Sequence, residues 1–237
     1  MKKIRSDSAV GREIERIASP PSAVEVHALS IPAGSFTGDL YIVRERADGT
    51  WFALGDVAGK GLDAAVFMQM VHEELDRRLE AEDLTVTCLV SCIHDVLTEE
   101  LPRNRFLSLV AGHLATDGRL KLVNAGHTQP LLARRDGTIE RIDSTGPVAG
   151  ILPGARWCSR DSRLEAGDIL VLYSDGVTEA FDREGAELGT GGLIEIVRLV
   201  SGRSPREIVE GIRAGIEAHR SGLPSHDDLT ILALAKI

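Results

Sequence analysis

The fold is decided by residues 38–56, GDLYIVRERADGTWFALGD, in which two apolar runs flank a turn signal. Leu40–Val43 and Trp51–Leu54 are rich in aromatic and apolar residues, and such runs between turn residues are typical of β-strands. Ala47-Asp48-Gly49 between them is typical of a tight turn. The stretch therefore predicts a β-hairpin whose two strands each carry an aspartate beside a glycine at the open end, opposite the turn.

The rest of the chain predicts strands and helices in separate runs rather than in strict alternation. The apolar pattern predicts helices over 62–80, 84–101, 191–201 and 205–219. It predicts further strands over 24–31, 106–114, 120–123, 130–133, 138–142, 169–173 and 229–235. Because short turns join the strands between 106 and 142, we expect an antiparallel meander there. This order indicates an α+β fold of two sheets flanked by helix pairs.

The domain boundary is set by Ser19-Pro20-Pro21-Ser22, which interrupts any regular element. We predict a short N-terminal helix or extension over residues 1–22. No linker long enough to divide the remainder follows, so residues 23–237 are expected to form a single domain.

The composition excludes several classes of protein. With 43% hydrophobic and 27% charged residues, the chain is typical of globular proteins. The net charge of −9 and the 4% aromatic content argue against nucleic-acid binding. No apolar run approaches the roughly 20 residues of a membrane span, and no signal peptide follows the basic start, so we expect a cytoplasmic protein without membrane contact. Cys88 and Cys92 are expected to be small core residues rather than a zinc site.

Aspartates at the ends of apolar strands carry the functional signal: Asp39, Asp56, Asp175 and Asp227, the last followed by Asp228. Carboxylates gathered at one sheet edge would repel one another, and hard divalent cations would relieve that repulsion. The alternative is that each Asp-Gly pair only marks a turn, which is our interpretation for Asp48, Asp117 and Asp136. The pattern alone leaves both interpretations open.

Five motifs occur in order along the chain: Gly38–Tyr41, Gly55–Gly61 with Ala64-Ala65, Asn124–His127, Gly167-Asp168 leading to Tyr173–Ala180, and Asp227–Thr230. Together they resemble the SpoIIE/RsbU-type branch of the PPM (type 2C) serine/threonine phosphatases. The resemblance covers roughly residues 24–236. It implies a four-layer αββα sandwich with a site for two ions, Mn²⁺ or Mg²⁺, at one edge.

The resemblance also implies which residues are catalytic metal ligands: Asp39, Asp56, Asp175 and Asp227, with the backbone carbonyl of Val57. Asp56 matches the bridging position, and Asp228 is either a support or a substitute for Asp227. The sequence departs from the family at Thr37, where glycine is frequent, and at Ile42, where an acid is frequent. No strict metal ligand is missing.

Two further motif residues have open roles. Gly59-Lys60-Gly61 fails the P-loop pattern, because Gly61 stands where Ser or Thr should be. We interpret it as a tight loop whose Lys60 either steers phosphate or is simply solvated. His127 marks the family, and a hydrogen-bonded structural histidine is favoured over a proton donor. We interpret Ser174 and Asp168 as structural.

The resemblance implies a protein serine/threonine phosphatase that uses a metal-activated water. Its expected substrate is a phosphorylated regulatory protein of the anti-sigma-factor antagonist type, so that dephosphorylation switches partners in sigma factor regulation. Because only about 20 residues precede the catalytic part, regulation is expected from a separate activator or from the N-terminal segment. Two alternatives stay open: a non-catalytic phosphoprotein-binding regulator of the same fold, and a hydrolase for small phosphoesters.

Overall fold

The computed structural model describes residues 12–14, 23–34, 37–59, 62–100 and 105–237. Two compact units are interleaved along the chain. The first is built from Phe36–Gln129 and Asp143–Arg163. The second is built from Val10–Ser35, Pro130–Ile142 and Leu164–Ile237.

The elements are numbered in chain order. The strands are β1 (Arg12–Ile14), β2 (Val24–Ile31), β3 (Asp39–Arg46), β4 (Gly49–Val57), β5 (Leu107–Ala115), β6 (Arg119–Ala125), β7 (Leu131–Ala133), β8 (Ile139–Arg141), β9 (Arg160–Arg163), β10 (Ile169–Tyr173) and β11 (Leu229–Lys236). The helices are α1 (Leu62–Arg78), α2 (Val86–Glu100), α3 (Asp175–Thr178), α4 (Gly189–Leu199) and α5 (Pro205–Arg220).

The first unit contains a five-stranded antiparallel sheet in the order β3-β4-β5-β6-β9. Helices α1 and α2 pack on it, and the shared core includes buried Trp51, Leu75, Leu89 and Ile93. Ile42, the residue that replaces a frequent family acid, is 3% exposed and belongs to this core. An ionised side chain at that position would have to be buried among apolar groups, which is unfavourable.

The β3–β4 hairpin sets the register of the candidate site. Arg46 pairs with Gly49, so the turn has two residues, and Asp39 pairs with Asp56 at the open end. Gly49 has φ +143°, and a Cβ there would lie 2.3 Å from the Leu114 carbonyl oxygen. The hairpin is therefore confirmed, with strands longer than the apolar runs that predict them.

The second unit contains a six-stranded antiparallel sheet in the order β1-β2-β11-β10-β7-β8. Helices α4 and α5 belong to the same apolar cluster as the sheet, with Val171, Leu193, Ile208 and Ile212 buried in it. A capping box starts α5, in which Ser204 and Glu207 bind each other's backbone amides. The predicted α+β class, with two antiparallel sheets flanked by helix pairs, is confirmed.

The predicted meander over 106–142 is wrong as a continuous unit. The two hairpins form as expected, but β5–β6 belongs to the first sheet, while β7 pairs with β10 in the second. Short turns dictate only the pairing within each hairpin. The chain leaves the first sheet at Gly126, whose φ of +66° is strained for other residues.

The N-terminal prediction also needs a correction. Arg12–Ile14 is a strand that pairs antiparallel with β2, not part of a helix. An edge strand presents unpaired backbone N–H and C=O groups, and a short extended segment beside it can form hydrogen bonds with them. The rest of the predicted N-terminal element lies outside the described residues.

The cysteine prediction is wrong for Cys88, which is exposed; Cys92 is half-buried, and both thiols are free. The buried stripe of α2 runs through Val86, Leu89, Val90, Ile93 and Leu97. The buried residues are spaced three or four positions apart, as on one face of a helix, and the two cysteines fall at positions outside that face. Within the described ranges, no helix combines the length and apolar character needed to cross a membrane.

Candidate functional site

The first pair of acids is Asp39 and Asp56, which lie directly opposite each other on β3 and β4. Side chains in such positions share a face, with Cβ atoms about 4.5–5.5 Å apart. Asp39 is only 6% exposed. Two ionised carboxylates at paired positions repel each other, and a divalent cation beside them would relieve that repulsion.

Thr37 has a specific role beside this pair. The backbone amide of Asp39 donates a hydrogen bond to the Thr37 hydroxyl oxygen at 3.0 Å. Glycine, the frequent family residue at this position, has no side chain that could accept it. The departure from the family therefore adds an anchor for Asp39.

Gly38 faces a group of oxygens. A Cβ added to Gly38 would lie 2.8 Å from Asp56 Oδ1, 3.4 Å from the Val57 carbonyl oxygen and 3.8 Å from the Gly59 carbonyl oxygen. One carboxylate and two carbonyl oxygens thus approach a space that only glycine leaves open. Oxygen donors of this kind suit Mg²⁺ or Mn²⁺ rather than a thiophilic metal, so this part of the chain fits the expected ions.

A polar network lies on the strand next to Asp56. Ser108 on β5 pairs with Asp56, and its hydroxyl lies 2.7 Å from His127 Nδ1. The His127 amide donates to Oδ1 of the fully buried Asn124 at 2.8 Å. This network supports the interpretation of His127 as a hydrogen-bonded structural residue.

Sequence reasoning missed Arg105, which precedes β5. Its Nη1 donates to the Ala58 carbonyl oxygen at 2.9 Å, in the loop that follows Asp56. Its guanidinium carbon lies 6.0 Å from the centre of the Phe67 ring on α1. A single arginine in front of a strand carries no motif, so only the fold reveals this contact. Lys60, the cation that the sequence did suggest, lies outside the described residues.

The second group of acids belongs to the second unit. Asp175 is the first residue of α3, and only Ser174 separates it from the end of β10. A Cβ added to Gly176 would lie 2.0 Å from the Asp228 carbonyl oxygen, so the chain at Asp227-Asp228 packs on the first turn of α3. The buried Ser174 hydroxyl donates to that same carbonyl at 3.2 Å and accepts the Thr230 amide at 2.9 Å. The predicted structural role of Ser174 is confirmed.

Asp227 and Asp228 have different surroundings. Asp228 Oδ1 accepts the Ala33 amide at 2.8 Å and thereby anchors the chain that follows β2. Asp227 Oδ1 accepts the Asp228 amide at 3.0 Å. Both carboxylates thus accept a backbone amide within the second unit, and the assignment of Asp227 as ligand with Asp228 as support or substitute stays a prediction.

Asp168 is a structural acid, as predicted. Its buried carboxylate accepts the amides of Glu165 and Arg135 and a guanidinium hydrogen bond from Arg134, each at 3.0 Å. Burial alone would raise the pKa of Asp168, but these hydrogen bonds and the Arg134 charge outweigh it and lower the pKa. Another motif acid, Glu179, ends α3, and its amide donates to the Asp175 carbonyl at 2.8 Å.

The structure thus groups the predicted ligands within each unit: Asp39 and Asp56 with the Val57 carbonyl in one, Asp175 with Asp227 in the other. In the part of the chain that is described, no group of three or more His, Cys, Asp or Glu side chains is placed to hold a metal ion. Each unit contributes acids to the predicted set, and their role as ligands stays a prediction.

The arrangement of sheets and helices is that of PP2C-type phosphatase domains. The SiaA-PP2C domain of Pseudomonas aeruginosa matches with a TM-score of 0.80 and 19% identity, over 89% of this chain and 85% of that one. The RsbU and RsbW domains of Rv1364c from Mycobacterium tuberculosis match with a TM-score of 0.78 and 22% identity, over 97% of this chain and 62% of that one. At these identities the likeness establishes the fold.

The sequence assigns the family. Residues 46–236 match the model of the Stage II sporulation protein E (SpoIIE) family, and the chain belongs to that family. The phosphoserine phosphatase RsbU of Bacillus subtilis is 26% identical over 216 residues. That match covers 90% of this chain and 64% of RsbU. The predicted SpoIIE/RsbU-type relationship is confirmed.

Proposed function

We propose that the protein is a metal-dependent protein serine/threonine phosphatase. The observation that carries this proposal is the oxygen-lined space in front of Gly38, beside the Asp39–Asp56 pair. Membership of the SpoIIE family and the likeness to a phosphoserine phosphatase support it.

The proposed metal ligands are Asp39, Asp56, the Val57 carbonyl, Asp175 and Asp227, and the proposed ions are two Mn²⁺ or Mg²⁺. When bound, such ions stabilise charge on the phosphoryl oxygens and supply a water nucleophile at neutral pH. The protein's own contribution is to hold these donors in place before the substrate arrives. No serine or cysteine nucleophile is required, and the sequence contains no Gly-x-Ser-x-Gly motif.

The surrounding residues orient the acids. Thr37 anchors the Asp39 backbone through its amide, and Ser174 links the start of α3 to the strand that follows Asp227. Ser108 and His127 extend the network from the position opposite Asp56. Such partners around the ligands fix their orientation, and losing them typically weakens metal affinity 10- to 100-fold.

The proposed substrate is phosphoserine or phosphothreonine on a small regulatory protein of the anti-sigma-factor antagonist type. RsbU is named a phosphoserine phosphatase, and the M. tuberculosis relative combines RsbU and RsbW domains. A phosphoryl group carries about −1.5 to −2 charges at pH 7, so its removal can reverse the binding preference of such a protein. Separate activator proteins are the proposed source of regulation.

The test is hydrolysis of p-nitrophenyl phosphate and of a phosphoserine peptide with Mn²⁺, with Mg²⁺ and with EDTA. Asp175→Asn removes one proposed ligand, and Asp136→Asn is the matched control. Asp136 is an exposed turn residue of the same unit, and its carboxylate accepts the Thr138 amide within that turn. We expect metal-dependent turnover that Asp175→Asn abolishes and Asp136→Asn preserves.

Other results would contradict the proposal in distinct ways. A folded wild-type protein without turnover in any divalent metal would favour the phosphoprotein-binding alternative. Turnover of p-nitrophenyl phosphate and nucleotides but not of phosphopeptides would favour the small-phosphoester hydrolase.

A further inference from the structure

The loop after Asp56 is fastened at Ala58 through both of its backbone polar groups. The Ala58 amide donates to the Phe106 carbonyl oxygen at 2.9 Å, and the Ala58 carbonyl accepts from Arg105 Nη1 at 2.9 Å. The carbonyls on either side of Ala58 approach Gly38 instead, at 3.4 Å for Val57 and 3.8 Å for Gly59, measured to an added Cβ. The direction of these oxygens is therefore tied to the anchoring of Ala58.

The guanidinium of Arg105 fits this loop closely. Gly59 has φ +120°, and a Cβ there would lie 1.8 Å from Arg105 Nη1 and 2.8 Å from its Cζ. The guanidinium therefore packs directly on the Gly59 backbone. The Phe67 ring lies on α1, 6.0 Å from the guanidinium carbon, a distance at which a cation–π attraction operates.

From these contacts we propose that Arg105 is a positioning residue for the metal centre. It holds the Val57–Gly59 loop so that the two carbonyl oxygens stay directed at the space in front of Gly38. The inference rests on the proposed function, because it assigns Arg105 a task at that same site. It gives Arg105 no contact with the reacting phosphoryl group.

The charge of Arg105 makes the inference testable, because the direction in which metal affinity changes on its removal distinguishes two roles. A guanidinium near a divalent cation repels it, so removing that charge alone would tighten metal binding. Removing the hydrogen bond to Ala58 frees the loop carbonyls, which weakens metal binding. A positioning residue and a simple nearby charge therefore predict opposite changes in metal affinity.

The experiment is calorimetric titration of the full chain with Mn²⁺ alone, without substrate, for wild type, Arg105→Gln and Arg105→Lys. The matched control is Arg46→Gln. Arg46 lies at the turn end of the same hairpin and also donates to backbone carbonyls, those of Leu79, Ala81 and Glu82. Its guanidinium carbon lies 5.6 Å from the centre of the Trp51 ring. Thermal unfolding verifies that each variant folds.

We expect the Kd for Mn²⁺ to rise about 10- to 100-fold in Arg105→Gln, as for other residues that orient metal ligands. Arg105→Lys keeps a hydrogen-bond donor, so its Kd should lie between those of wild type and Arg105→Gln. The Kd of Arg46→Gln should match that of wild type. Amide hydrogen exchange at Ala58 should also become faster in metal-free Arg105→Gln, because the bond from the Ala58 amide to Phe106 then holds the loop without the Arg105 bond to the Ala58 carbonyl.

The outcomes separate this inference from the proposed function. Wild type that does not bind Mn²⁺ would overturn both. Wild type that binds, with an unchanged or tighter Kd in Arg105→Gln, would overturn only the positioning role. An unchanged Kd with a raised KM for phosphopeptide would also overturn it, by assigning Arg105 to the substrate. If Arg105→Gln does not fold, the comparison of Arg105→Lys with Arg46→Gln decides.

Discussion

Gly38→Ala tests the oxygen-lined space most directly, because it adds a single methyl group. The new Cβ would lie 2.8 Å from Asp56 Oδ1 and 3.4 Å from the Val57 carbonyl oxygen. An unstrained contact requires the Asp56 carboxylate to move by about 0.5 Å. Catalytic and binding groups must be held within about 0.5 Å of their productive positions, so this shift reaches the limit. Mg²⁺ requires ligand distances of about 2.0–2.1 Å in near-ideal geometry, so a shift of this size disrupts binding.

We expect Gly38→Ala to weaken metal binding by at least about tenfold, or roughly 1.4 kcal/mol, and to reduce phosphatase turnover accordingly. The fold should survive, because the backbone of Gly38 does not lie in the left-handed region. The assay is Mn²⁺ titration by calorimetry, with thermal unfolding measured in EDTA.

The matched control for this substitution is Gly34→Ala. A Cβ on Gly34 would meet nothing within 4 Å, and its φ is also outside the left-handed region. Unchanged Mn²⁺ affinity in a folded Gly38→Ala variant would refute the reasoning, since it would show that the space in front of Gly38 holds no metal ligand.

Three further predictions concern stability. Ser204→Ala removes the capping box of α5 and should cost about 1 kcal/mol in the free energy of unfolding; an unchanged urea midpoint would contradict it. Asp168→Ala removes a charged acceptor from the Arg135 and Glu165 amides and from Arg134, and should cost about 1–3 kcal/mol, while Mn²⁺ affinity, measured as the control, stays at the wild-type value. Burial lowers the pKa of His113, so below about pH 6.5 the unfolded state binds more protons than the folded state, and stability decreases as the pH is lowered through that range. His113→Gln should reduce this slope in urea titrations between pH 5 and pH 7, and an identical slope would exclude His113 as its source.

The sequence predicts those parts of the fold in which local pattern and final structure agree. The apolar alternation and the turn at Asp48-Gly49 are local signals, so the β3–β4 hairpin follows from them. β9 was missed because Arg160–Arg163 contains no apolar residue and is mostly exposed. The assignment of β7 to the second sheet depends on its pairing with β10, far along the chain, which no local signal contains.

The candidate site also contains residues that local sequence motifs predict and residues that only the fold reveals. Asp39, Asp56, Asp175 and Asp227 could be predicted because aspartates at strand ends recur in recognisable motifs. Arg105 could not, since its contact with Ala58 spans 47 positions and depends on β4 and β5 being neighbours. The hydrogen bond of Thr37 to the Asp39 amide was equally hidden, because a departure from a family motif looks like a loss until its partner is visible.

The central place of β11 has a consequence for biosynthesis. β11 lies between β2 and β10, so it joins two parts of the second sheet that are otherwise unconnected. Because synthesis delivers the N-terminal segments first, a nascent chain that ends before residue 229 leaves β2 and β10 with bare edges. Ser174, next to Asp175, also waits for its partner Thr230 on this strand. A chain that stops before residue 229 therefore leaves the second sheet in two parts, and Ser174 beside Asp175 without its partner Thr230.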